Sequence, residues 1–259
     1  MTVKVIGRAA HFQVSPLSHH AGDYQMKVIA EHHYHRLGTL VLPLCEEVKK
    51  DREAMLLLYS AFDPNRDARL TSFVKLINVF NSLLLASVFA RNSIASGSWK
   101  ETLGAEEFSI WVQEYDGFLK IGFVQAVFLA IESSLRIFLR ALDPMACKGG
   151  MAEFKSIYEC LFKSKLSGCP ADGFELLDLL RNIRNTVHNN GVFFNLKRSD
   201  ASVKWAGQTY VFKHGIPVDF VTWDLIIHAA DAVRKLLRSV CEDANIQAIT
   251  TEITEPYRP

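Results

Sequence analysis

The chain has 259 residues, enough for one large domain or two small ones with a real core. Hydrophobic residues make up 49% of it and the formal net charge is +1, which excludes a protein-wide basic field that draws in nucleic acid and leaves only a local site for that role. Five cysteines, Cys45, Cys147, Cys160, Cys169 and Cys241, are odd in number and form no CxxC pair, so reduced thiols in a cytoplasmic protein fit better than a disulfide framework or a zinc ribbon.

The first residues, MTVKVIGRAAHFQV, lack the apolar centre of a signal peptide. Residues 1 to about 22 read as irregular, with a short strand at Val3–Ile6. A helical pattern begins at Asp23 and is expected to break at Gly38 and Pro43, with a second helix from Leu44 to Ala61. The turn signal DPNRD follows, then an apolar helix over residues 70–92. That helix nears membrane-spanning length, but Lys75, Asn78 and Asn81 within it favour burial in a protein core, and no membrane partner is expected.

The stretch NSIASGSWKETLG dilutes the hydrophobicity and sets the expected boundary between an N-terminal helical region, 1–95, and a C-terminal bundle, 96–245. A long helical pattern runs from Glu106 to Leu142, with Gly117 or Gly122 as candidate breaks. Its second half is apolar nearly all round, as a central core helix would be. MAEFKSIYECLFKSKL reads as an amphipathic helix, SGCPADG as a loop, and residues 173–189 as a further helix stopped at Gly191. Alternating β-formers on either side of Ala206-Gly207 predict a small hairpin. A last helix opens at Asp219, and residues 246–259 read as a loose tail. The expected class is all-α, a helical bundle with one β-hairpin inserted before the last helix.

The helix of residues 173–189 ends in LLRNIRNTVHNNG. At about 100° per residue, Leu176, Leu179, Leu180, Ile183 and Val187 share one arc, which faces a core. Arg181, Arg184, Asn185 and His188 share the neighbouring arc, so two guanidinium groups, an amide and an imidazole converge on one surface. The plain reading of such residues is a C-terminal cap that complements the helix dipole.

An Arg followed by Asn, with four to six residues between the Arg and a His near a helix end, resembles the motif of the HEPN superfamily. Arg181-Asn182 and His188 have six intervening residues and fit, whereas Arg184-Asn185 and His188 have three. The continuation HNNGVFF and the segment AIESSLRIF are similar to those of family members, and the resemblance covers about residues 105–245. It implies a metal-independent endoribonuclease without cofactor, in a toxin–antitoxin or defence setting. Arg181, Asn182 and His188 would then be catalytic, with RNA, a second copy of the chain and an antitoxin protein as partners. It also implies an alternative, a non-catalytic helical module that binds a partner protein or a nucleotide.

The chemistry of these residue types agrees with RNA cleavage. A histidine can accept the 2′-hydroxyl proton or protonate the leaving oxygen, and a forked, permanently charged arginine can hold the phosphate. Arg184, Asn185 and Glu132 are candidate supporting residues, although Glu132 also suits an i,i+4 ion pair with Arg136. Lys197 and Arg198, just before the hairpin, are candidates for gripping an RNA backbone, with Lys163 and Lys165 as further basic residues nearby in sequence. His32 and His35, at i,i+3 in EHHYH, offer a weaker metal-site reading.

Overall fold

The structure is a computed structural model that describes residues 19–98, 103–146, 153–168 and 170–254. The described residues are mainly helical with one hairpin, as expected. Its elements are α1 (His19–Leu58), α2 (Ala68–Ser96), α3 (Ala105–Leu142), α4 (Phe154–Cys160), α5 (Gly173–Val187), β1 (Ala201–Trp205), β2 (Gln208–Phe212), α6 (Trp223–Cys241) and α7 (Ala244–Gln247). The strand expected at Val3–Ile6 lies outside the described residues.

The expected break at Gly38 and Pro43 does not occur. One helix of 40 residues runs through both, with Pro43 in its interior. Gly38 marks a close approach, because a Cβ there would stand 3.1 Å from Ser87 Oγ of α2. Packing of α1 along α2 holds the helix continuous despite the missing proline N–H. Gly117 and Gly122 do not interrupt α3 either, which is continuous over 38 residues.

α2 starts where Asp67 accepts a hydrogen bond from the Arg69 N–H at 2.9 Å. Arg69 is fully buried between the rings of Tyr59 and Phe62, at 4.5 and 4.1 Å from their centroids. Its guanidinium grips Asp67 at 2.8 and 2.6 Å and donates to the carbonyls of Ile249 at 2.9 Å and Thr251 at 3.1 Å. The stretch expected as a loose tail is therefore packed as far as Thr254: Ile246 and Ile253 are buried, and Thr254 bridges to Asp67.

α6 begins at Trp223, not at Asp219, because Thr222 supplies the capping hydroxyl, accepting from the Leu225 N–H at 3.3 Å. The core is a single cluster joining Tyr34 and Val41 of α1, Phe73 and Phe80 of α2, Leu135 and Phe138 of α3, Leu179 of α5 and Val233 of α6. The hairpin lies on α5, with Ala201 opposite Phe212 and Trp205 opposite Gln208. Ala206 (φ 49°) and Gly207 (φ 77°) form its turn, where positive φ at both central residues matches the twist of the strands. Both α2 and α3 are long and apolar enough to cross a membrane by length and composition, with 28% and 56% of their most apolar windows buried in the fold.

Candidate functional site

α5 carries the Arg–Asn–His stretch, and its terminus follows from the sequence. Leu176, Leu177, Leu179, Leu180 and Ile183 are buried against the bundle. After Val187 the chain leaves the helix through His188, still αR, and reaches positive φ at Asn190 (53°) and Gly191 (84°). The N–H groups of Asn189 and Gly191 both reach the Thr186 carbonyl, at 3.0 and 2.8 Å, and the Asn189 side-chain amide donates to the Asn185 carbonyl at 3.0 Å. Asn189 and Gly191 thus satisfy orphan carbonyls of the helix end.

His188 is exposed, and its imidazole makes no hydrogen bond to any described residue. Arg184 lies one helical turn before it and Arg181 two turns before it, about 10 Å along the axis. Both arginines are half-buried, and the Nε of each is buried without a hydrogen-bond partner among the described residues. The Arg184 guanidinium stands 5.5 Å from the Phe128 ring centroid on α3, and its Nη1 lies 3.4 Å from Asn185 Oδ1.

Arg181 is held more firmly. Its Nη2 donates to Asp178 Oδ1 at 3.0 Å, and the same oxygen accepts the Tyr158 hydroxyl of α4 at 2.6 Å. Burial works against the Arg181 cation, but hydrogen bonding and charge from Asp178, with Tyr158, outweigh it and raise its pKa. Burial first, and then Asp178, push the Tyr158 phenol well above its ordinary range. Arg181 is thus a fixed cation braced by a carboxylate and a phenol. Asp178 was legible in the sequence as the i−3 neighbour of Arg181, but nothing in the sequence points to Tyr158.

The remaining candidates scatter. Asn182 is 6% exposed and lies behind the Arg–His surface, not on it. Glu132 is bound to Arg136 at 2.6 Å in the i,i+4 ion pair that its spacing allows. Lys197 and Arg198 are exposed on the loop before β1, and no hydrogen bond or ion pair joins them to α5 among the described residues. Asn195 braces that loop, exchanging hydrogen bonds with the Ser199 backbone at 2.6 and 3.1 Å. The loop region is tied to the α5 end where the Val218 N–H reaches the Gly191 carbonyl at 2.9 Å. Lys163 pairs with Glu159 and Lys165 with Asp143.

Of the histidines in EHHYH, His33 meets a carboxylate, Asp116, at 2.7 Å, while His35 Nδ1 lies 3.2 Å from Arg91. Among the described residues no group of three or more His, Cys, Asp or Glu side chains is placed to hold a metal ion. The arrangement on α5 therefore offers an accessible imidazole and two anchored cations on one face. No family model, curated protein or solved structure matches this chain.

Proposed function

We propose that the α5 face is a metal-independent RNA-cleaving site of the HEPN type in a cytoplasmic protein. The observation that carries this reading is the exposed, unbonded His188 beyond two guanidinium groups on the same helix face. His188 moves the proton, taking it from the 2′-hydroxyl or giving it to the leaving 5′-oxygen. Arg184, four residues away, stabilises the charge developing on the phosphate, and Arg181, fixed by Asp178 and Tyr158, holds the flanking backbone. Asn182, being buried, supports the helix from behind and does not touch the strand. RNA is the proposed ligand, with a second copy of the chain and an antitoxin protein as the further partners that the HEPN resemblance implies.

The test is cleavage of total cellular RNA by the purified chain in excess EDTA, with His188→Ala alongside. Fragments ending in 2′,3′-cyclic phosphate from the wild type alone support the reading. Equal cleavage by both proteins refutes it.

A second reading is favoured by one observation, the Asp178 carboxylate that occupies Arg181. On this reading the face is a non-catalytic surface for a protein or nucleotide. It predicts no cyclic phosphate from either protein, together with a bound partner or nucleotide that His188→Ala or Arg184→Ala releases.

A further inference from the structure

The outer face of α2 and α3 is the largest feature that the α5 site leaves unused. Leu85 and Phe89 on α2, with Trp111, Tyr115, Phe118 and Leu129 on α3, are each 39–70% exposed. At roughly 200 Å² for a whole aromatic side chain and somewhat less for a leucine, they offer roughly 700 Å² of apolar surface. That exceeds the patch on most monomers and approaches the roughly 800 Å² that each partner contributes to a standard interface. A hollow of about 300 Å³ between the helices, lined by Ser82, Phe118 and Gly122, belongs to the same face.

The order of residues on α3 identifies the occupant. Trp111, Tyr115, Phe118, Gly122, Gln125 and Leu129 recur at alternating steps of four and three, the spacing of a helix–helix seam, and none is charged. The series is symmetric about Lys120: Trp111 and Leu129 are each nine residues from it, Tyr115 and Gln125 five, Phe118 and Gly122 two. An antiparallel pairing of two α3 helices about that point sets Trp111 against Leu129, the Tyr115 hydroxyl against the Gln125 amide, and the Phe118 ring against Gly122. Large meets small or complementary at every level, in both directions, as a two-fold interface requires.

Gly122 fits such a seam. It weakens a helix interior, yet a Cβ built there meets nothing within 4 Å, so this chain's own packing does not require glycine. Exposed Glu106, Glu107 and Glu114 beside the seam disfavour an anionic lipid surface. We infer that this face is a self-complementary interface, through which two copies of the chain pair by their α3 helices. The contact is independent of the ribonuclease reading. With α5 beside Phe128, the two α5 helices lie roughly 24 Å apart along the paired axes, so the seam leaves both Arg–His faces open.

Sedimentation velocity on the full chain from 1 to 100 µM tests it, with far-UV circular dichroism confirming the fold of each variant. The wild type should sediment at twice its 29.2 kDa mass. Phe118→Glu should weaken the dimer at least ten-fold. Gly122→Leu should do the same while keeping or raising the thermal midpoint. Trp111→Glu and Leu129→Lys should each weaken it alone and recover it when mixed, because only the antiparallel register sets the two new charges against each other. A wild type that is monomeric at 100 µM, variants that dimerise unimpaired, failure of the mixture to recover, or a monomer that instead co-floats with phosphatidylcholine vesicles would each overturn the inference. None of these outcomes depends on RNA cleavage.

Discussion

Removing the Arg69 charge tests how the C-terminal stretch is held. In Arg69→Met the aliphatic volume between Tyr59 and Phe62 is roughly kept, but Asp67, itself fully buried, loses both of its guanidinium hydrogen bonds. The carbonyls of Ile249 and Thr251 lose their donors at the same time. Breaking one side of a buried ion pair costs about 3–5 kcal/mol because the remaining charge stays buried without compensation. Asp67 keeps its capping bond from the Arg69 backbone and a 3.1 Å bond from the Ile253 N–H, which argues for the lower half of that range. Urea titration followed by circular dichroism measures the loss, and limited proteolysis should show new cleavage within residues 248–254. Asp67→Asn in the same chain removes the stranded charge and should recover a large part of the loss. A loss below about 1 kcal/mol, or a double variant as unstable as the single one, would refute the claim that this ion pair anchors the C-terminal stretch.

The remaining predictions concern α5, pH and the first helix crossing. Asp178→Asn should loosen Arg181 and lower RNA cleavage in EDTA, with the loss in kcat/KM larger than any change in thermal midpoint. Burial favours the neutral form of Asp116, but hydrogen bonds from His33 and Trp223 and the nearby Lys120 outweigh it and hold the carboxyl below its usual range; Asp231 and Asp243 are likewise held low, the first by Lys235 and Arg234 and the second by Ser167. With folded-state values below unfolded ones, the stability these groups confer is present above about pH 4 and lost as pH falls through the folded values. Asp116→Asn should therefore flatten part of the acid limb in a pH series of urea titrations. Gly38→Val forces a branched side chain against Ser87 Oγ and should cost about 1–3 kcal/mol in the same assay, whereas an interrupted helix at this point would tolerate it.

The helix expected over 70–92 and the hairpin around Ala206-Gly207 were legible because each rests on local chemistry: a long apolar stretch without Gly or Pro in one, two positive-φ turn residues in the other. Gly38 and Pro43 misled for the converse reason. Their local preference is to end a helix, but the length of α1 packed on α2 overrides it, and only the fold shows Ser87 beside Gly38. On α5 the wheel groups Arg181, Arg184, Asn185 and His188, because helical spacing alone fixes which residues share a surface. It could not place Asn182, which lies at the edge of that arc and is buried by the surrounding fold.

By itself, then, the sequence determined the helical class, the end of α5 at its Asn-Asn-Gly stop, and the face on which two cations and an imidazole gather. Periodicity and capping act within a few residues, so they can be read from order alone. Tertiary structure alone decided that Tyr158 joins Asp178 in bracing Arg181 and that Arg69 draws residues 246–254 onto the start of α2. Those contacts join residues 20 to 182 positions apart. Such partners are chosen by which surfaces the folded core brings together, and that choice leaves no mark on the local order of residues.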